Sequence, residues 1–135
     1  MPLTAFAPLA RVPGMRPISL QKGTGMEQLR ELADRFPVLD LPSEQDPAAA
    51  FEDTAAIMRN LDLVITVDTA LAHLAGALGV PVWTALSAVP DWRWLMERED
   101  SPWYPTMRLF RQTQLGDWSE VVARMVNALP AVNSQ

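Results

Sequence analysis

The feature that most constrains this chain is a largely apolar run at 61–67 (LDLVITV) that passes directly into a helix of small residues. Apolar and β-branched residues on both faces are typical of a strand buried inside a parallel sheet. Residues 69–78 form the predicted helix, which ends at Gly79, and 81–86 (PVWTAL) predict a second buried strand. The segment therefore predicts a βαβ unit in which 61–67 is a central strand.

The same alternation extends over the rest of the chain. Further strands are predicted at 15–20, 38–41 and 107–111, and further helices at 5–11, 26–35, 53–60 and 118–129. Loops are predicted at 42–47 and 87–106, and fraying at 133–135. Asp53 or Thr54 is placed to cap one helix, and Asp117 the last. This order predicts an α/β, Rossmann-like three-layer αβα fold with a mostly parallel sheet.

Composition limits the size and the partners. At 135 residues and 49% hydrophobic, the chain is predicted to be one domain, 1–135. The formal charge of −5 disfavours a nucleic-acid partner. The absence of cysteine fits a cytoplasmic protein and excludes a disulfide framework. No apolar run is long enough for a membrane span.

The most informative residues follow the strand 61–67. Ligands of parallel α/β folds bind beyond the carboxyl ends of the strands. A helix that starts directly after Asp68 leaves free backbone N–H groups at Thr69 and Ala70, which suit a phosphate or diphosphate. His73, the single histidine, lies four residues after Thr69 on the same helix face and can reach the same anion. Alternatively, Asp68 or Thr69 only caps the helix and His73 is an ordinary half-buried residue.

Other candidates follow other predicted strands. Lys22 can contact phosphate or ribose, although a lone loop lysine is usually a solvated charge. Arg93 lies between Trp92 and Trp94, a cluster able to stack on a sugar or base and to pair with phosphate. The alternative is a loop pinned by its tryptophans, which fits Trp94 better than Arg93. Tyr104, with its neighbours, is predicted to anchor the same loop rather than to take part in chemistry.

A family resemblance is carried by 62–83 (DLVITVDTALAHLAGALGVPVW), by PDWRWL at 90–95 and by REDSPWYPTMRLFRQ at 98–112. Together they resemble the C-terminal domain of bacterial heptosyltransferase-like and TPR-linked glycosyltransferases, which have the two-domain GT-B architecture. SLQKG at 19–23 and DTAA at 53–56 also lie where that family has them. The resemblance covers nearly the whole chain.

The resemblance implies a site for a nucleotide-diphosphate sugar. In the family, residues matching Asp68, Thr69 and His73 line this site, and the helix N-terminus faces the diphosphate. Ala70 stands where heptosyltransferases usually have Gly and the TPR-linked relatives often have Ser. The side-chain hydrogen bond available to the latter is therefore missing, while backbone donation is kept. No Asp-x-Asp pair occurs in the sequence, which indicates a site without a metal, and no cofactor is expected.

The resemblance also implies what surrounds this chain. It is expected to be the donor-binding half of a GT-B glycosyltransferase, without its first strand and without the N-terminal domain that supplies the acceptor site and general base. Alone it is expected to be inactive, with exposed edges that favour a homodimer. The alternative is a non-catalytic interaction module beside TPR repeats. A flavodoxin-like or receiver-type domain shares the element order, but neither an FMN phosphate loop nor an acidic cluster at strand ends is evident.

Overall fold

The structure is a computed structural model that describes residues 1–41 and 50–130. The loop predicted at 42–47 and the fraying predicted at 133–135 therefore lie outside the described residues. Strands and helices alternate along the chain, and every strand pair is parallel. The predicted α/β class is confirmed, and the arrangement is consistent with a Rossmann-like three-layer fold.

The predicted elements are all present, most of them shorter than predicted. In chain order they are a 3₁₀ turn Leu3–Phe6, α1 Ala7–Ala10, β1 Ile18–Ser19, α2 Met26–Glu31, β2 Leu39–Asp40, α3 Ala50–Met58, β3 Val64–Val67, α4 Ala70–Ala77, β4 Val82–Leu86, a 3₁₀ turn Trp92–Trp94, β5 Met107–Arg111 and α5 Trp118–Ala128. None of the helices in the described part of the chain has the length and apolar composition to cross a bilayer.

The strands form two sheets, and the chain divides into two compact units. One unit is formed by Met1–Glu44 with Val122–Gln135, and the other by Gln45–Val121. The first contains a two-stranded sheet, in which Ile18 of β1 pairs with Leu39 of β2. The second contains a three-stranded sheet in the order β3-β4-β5. The prediction that 61–67 is a central strand is wrong for this sheet, because β3 is at its edge and β4 is in the middle.

The core of the Gln45–Val121 unit is built around β4. Val82 and Leu86 at its two ends are fully buried, and β5 pairs with its whole length. Helix α4 contacts both β3 and β4 and buries Ala72 and Ala75 completely. Because alanine side chains are short, the helix axis can approach the sheet closely. The small residues that the sequence places in α4 thus serve the packing of the βαβ unit.

The two predicted helix caps have different outcomes. Asp117 caps α5 as predicted, with its Oδ1 accepting hydrogen bonds from the backbone N–H of Ser119 (3.0 Å) and Glu120 (3.3 Å). The prediction for α3 is wrong, because the helix already includes Ala50 and Asp53 lies in its first turn. Alanine has the highest helix propensity, which favours this earlier start. An acidic residue in the first turn still interacts favourably with the helix dipole.

Two threonines occupy partnered positions on neighbouring strands, Thr66 on β3 and Thr84 on β4. Thr66 Oγ1 donates to the carbonyl oxygen of Val67 (3.1 Å) and lies 3.3 Å from Thr69 Oγ1. Thr84 is fully buried, and within the described parts of the chain its hydroxyl has no hydrogen-bond partner. A buried hydroxyl without a partner is destabilising by about 1–3 kcal/mol.

We therefore predict that Thr84→Val raises the free energy of unfolding by about 1 kcal/mol, because it removes an unsatisfied hydroxyl and nearly keeps the side-chain shape. Thr66→Val is the matched control and should lower the free energy of unfolding by about 1 kcal/mol, since its hydroxyl is hydrogen-bonded. Urea unfolding followed by tryptophan fluorescence measures both values. Equal destabilisation by the two substitutions would contradict the prediction.

Candidate functional site

The amino end of α4 lies directly after β3, at the carboxyl edge of the three-stranded sheet. Thr69 occupies the N-cap position with extended backbone angles (φ −140°, ψ 172°), and its carbonyl accepts the N–H of Ala72 at 3.0 Å. Its side chain makes no capping hydrogen bond. Asp68, Thr69 and Ala70 are all exposed. The N-cap side chain therefore leaves the first N–H groups of α4 without a capping hydrogen bond, and the edge is open to solvent.

His73 lies one turn into α4 and is half-buried between two aromatic side chains. Its Nδ1 is 2.9 Å from the hydroxyl oxygen of Tyr104. Its ring stacks on Trp94, with centroids 5.2 Å apart and planes inclined by 21°. The Tyr104 ring meets it edge-on at 5.7 Å. Both aromatics come from the segment between β4 and β5, so this segment fixes the imidazole against α4.

Tyr104 reaches His73 because α4 carries a glycine at position 76. A Cβ built on Gly76 would lie 2.7 Å from Cδ1 and 2.8 Å from Cδ2 of the Tyr104 ring, closer than real contacts allow. The ring thus lies flat on the helix backbone, with its hydroxyl end directed toward His73. A glycine in a helix interior is unfavourable by about 1 kcal/mol relative to alanine, but here the position of the Tyr104 ring leaves no room for a Cβ. Sequence reasoning missed this role, although Gly76 was a signal for it.

Trp94 both anchors its loop and touches the site. Its side chain is fully buried, and its indole Nε1 lacks a hydrogen-bond partner among the residues that the structure describes. The 3₁₀ turn that delivers it is capped by Asp91, whose Oδ1 accepts from the backbone N–H of Arg93 at 3.0 Å. This hydrogen bond is the main cause that lowers the pKa of Asp91, and the positive charge of Arg93 lowers it further. The turn lies next to His73, because the Trp94 ring stacks on the imidazole.

Arg93 is exposed on this turn, and its guanidinium already has partners. Nη1 forms an ion pair with Asp91 Oδ1 at 2.9 Å, and the guanidinium lies 5.1 Å from the centre of the Trp92 ring. The backbone carbonyl of Arg93 accepts a hydrogen bond from Trp103 Nε1 at 3.0 Å. Arg93 thus lies beside two exposed tryptophans, Trp92 and Trp103, and its role in binding stays a prediction.

The structure brings four of the six predicted residues, Asp68, Thr69, Ala70 and His73, to the start of one helix. Arg93 lies in the same unit, on the turn next to His73. Lys22 is exposed after β1 and belongs to the other unit, so its role in this site stays a prediction. No group of three or more metal-ligating side chains occurs in 1–41 and 50–130.

Comparison with known proteins connects this site to a family. The model of the family described as "Glycosyltransferase family 9 (heptosyltransferase)" matches residues 23–93, more than half of the chain. The match includes β3, α4 and Arg93. Protein FlbA of Caulobacter vibrioides is 33% identical over 129 residues, which are 95% of this chain and 21% of that protein. The chain therefore spans about a fifth of the length of this curated relative. No solved structure matches the chain.

The contact between α4 and Tyr104 gives a testable result. Replacing a helical glycine by alanine normally raises the free energy of unfolding by about 1 kcal/mol. We predict that Gly76→Ala instead destabilises by about 1–3 kcal/mol, because the added methyl group overlaps the Tyr104 ring. In a Tyr104→Ala background the same substitution should become neutral or stabilising. Urea unfolding of the four proteins measures this coupling. Stabilisation by Gly76→Ala in the otherwise unaltered chain would show that the close contact is wrong.

Proposed function

The chain belongs to glycosyltransferase family 9 (heptosyltransferase), and on this premise we propose that it binds the nucleotide-diphosphate sugar donor of a metal-independent glycosyltransferase. The observation that supports this most is the start of α4. There an exposed helix N-terminus without a side-chain cap follows β3 directly, and His73 lies one turn further along. A nucleotide sugar carries its negative charge on the diphosphate, which is the group that a helix N-terminus favours.

The proposed diphosphate contacts combine backbone and side-chain donors. The N–H groups at the start of α4 and the hydroxyl of Thr69 belong to the same edge of the sheet, where Thr69 and Ala70 are exposed. His73 adds an imidazole, and Arg93 adds a positive charge on the neighbouring turn. Asp68 is unsuited to the diphosphate, because both are negative, and we assign its carboxylate to hydroxyl groups of the sugar or ribose. Lys22 is retained as a further candidate for phosphate or ribose.

This arrangement suits the departure of a nucleoside diphosphate. In glycosyl transfer by direct displacement, an acceptor hydroxyl forms a bond to the anomeric carbon while the bond to the diphosphate oxygen breaks. Negative charge then grows on the leaving diphosphate. A fixed helix dipole and positioned donors stabilise that charge without reorganising during the reaction. The site can therefore replace a divalent metal in this one role.

The acceptor site and the general base are assigned to a second domain. The roles proposed above all concern the sugar donor, and none of them removes a proton from an acceptor. We propose that the complete enzyme is of the GT-B type, that its other half supplies the base, and that this chain alone transfers no sugar. Under the same proposal, the protein is cytoplasmic and is linked to TPR repeats, and this chain forms a homodimer.

A second function is favoured by one observation. The segment that carries Arg93 exposes Val89 (82%), Trp92 (71%), Met96 (66%) and Trp103 (59%). Exposed apolar groups on one segment are typical of a contact surface for another protein. The alternative is thus a glycosyltransferase-like module that binds a protein rather than a sugar donor. The two hypotheses differ in whether a nucleotide stabilises the folded chain.

A thermal-shift series with UDP, GDP, ADP and CMP distinguishes them. A ligand at 100 times its dissociation constant stabilises the folded state by about 2.7 kcal/mol, which raises the melting temperature. We predict such a rise with one nucleoside diphosphate, and a roughly tenfold weaker affinity in His73→Ala, from the loss of a hydrogen bond to a charged group worth about 1.5 kcal/mol. Asn127→Ala, an exposed substitution on α5, is the control and should leave the affinity unchanged. No rise with any nucleotide would favour the interaction module.

A further inference from the structure

We propose that Tyr104 is the positioning residue of this site and that its hydroxyl donates to Nδ1 of His73. This hydrogen bond holds the neutral imidazole as the tautomer with its proton on Nε2. His73 then presents an N–H group, rather than a lone pair, to a bound anion. The identity of that anion rests on the proposed function, whereas the state of the imidazole does not.

The direction of the hydrogen bond follows from the chemistry of the two groups. A neutral imidazole has one ring nitrogen that donates and one that accepts, and a phenol hydroxyl can do either. An imidazole nitrogen is a much stronger proton acceptor than a phenol oxygen. With Nδ1 and the hydroxyl oxygen 2.9 Å apart, the favoured arrangement is O–H···Nδ1. The proton of the neutral ring is then on Nε2.

The aromatic neighbours of His73 keep the ring in this orientation. Trp94, fully buried, covers one face of the imidazole at 5.2 Å, and Tyr104 lies edge-on to it at 5.7 Å. A flip of the imidazole would remove Nδ1 from the hydroxyl and leave that hydrogen bond unmade. Nε2 has no hydrogen-bond partner in the part of the chain that the structure describes. It is thus the ring nitrogen left for a ligand.

Tyr104 is itself held on two sides. Its ring rests on the backbone of α4 at Gly76, and its carbonyl accepts the N–H of Met107, the first residue of β5, at 3.1 Å. Two residues further on, the Thr106 hydroxyl donates to the carbonyl of Val80 at 2.8 Å, which fixes the end of the segment next to β4. The hydroxyl of Tyr104 is therefore placed by the sheet and the helix together, as a positioning group requires.

The tautomer can be read directly because the chain has a single histidine. In protein labelled with ¹⁵N-histidine, a long-range ¹H–¹⁵N correlation spectrum of the neutral ring reports which nitrogen carries the proton. We expect a protonated Nε2 and an unprotonated Nδ1 in the ligand-free chain. Tyr104→Phe, which removes only the hydroxyl, should shift both nitrogens toward the values of a mixture of tautomers. Trp118→Phe also removes one polar hydrogen from an aromatic ring, at the start of α5, and should leave both signals unchanged.

Affinity for inorganic pyrophosphate, measured by calorimetry, tests the consequence for binding. Tyr104→Phe should weaken binding about three- to tenfold in the otherwise unaltered chain, and should have no further effect in a His73→Ala background. If Tyr104→Phe only damaged the local structure, it would weaken pyrophosphate binding in both backgrounds. Far-ultraviolet circular dichroism and the melting temperature check that each variant folds. Gly76→Ala provides a second variant that displaces the Tyr104 ring and should disturb the tautomer in the same direction.

The positioning role of Tyr104 and the donor-site proposal can fail independently of each other. A proton on Nδ1, or imidazole signals that Tyr104→Phe does not change, would overturn the positioning role even if nucleotides bind. If the tautomer is as proposed and depends on Tyr104, but neither pyrophosphate nor any nucleotide binds, the positioning of the imidazole stands and the donor-site proposal fails. Equal loss of pyrophosphate affinity in both backgrounds would also overturn the role of Tyr104 in binding.

Discussion

Helix α4 is packed closely on two sides, and the side chains at both contacts are small. Ala72 and Ala75 are fully buried in the unit in which α4 contacts β3 and β4. Gly76 lets the Tyr104 ring lie on the helix backbone. A larger side chain at either contact would move the helix, and with it the N–H groups at its start. The position of the candidate anion site relative to the end of β3 therefore depends on this close packing.

The order of elements was predictable from the sequence because each one has a local signal. The apolar, β-branched residues of β3 and β4 and the Asp117 cap of α5 act over a few residues, and the structure has all three. The arrangement of strands was not predictable in the same way. Residues 61–67 have a pattern typical of a central strand, yet β4 lies in the middle of the three-stranded sheet. Neighbours in a sheet are chosen by packing between distant segments, which periodicity does not encode.

The candidate site was likewise predictable where its residues are close in sequence, and not where they are distant. Asp68, Thr69 and His73 lie together because they are close in sequence, at a strand end and on one helix face. Tyr104 is 31 residues from His73, and its hydrogen bond to the imidazole depends on the path of a long loop. Aromatic residues in such loops usually anchor them, and Tyr104 does so while also contacting the site. Only the glycine on α4 indicated that a ring could lie there.

The path of that loop explains how two aromatic rings come to enclose one imidazole. Directly after the buried Trp94, Leu95 (φ 56°) and Glu97 (φ 62°) both have positive φ angles, in the left-handed region. Such conformations are unfavourable by about 1 kcal/mol or more for residues other than glycine. The carbonyl of Leu95 accepts a hydrogen bond from Arg111 Nη2 at 2.7 Å, which connects this segment to the end of β5. Strain of this kind persists where surrounding contacts determine the conformation, and here those contacts hold Trp94 against the face of His73. Local backbone strain in this loop thus accompanies an imidazole that is held in one orientation. A binding site requires such an orientation, whereas a simple connection between β4 and β5 does not.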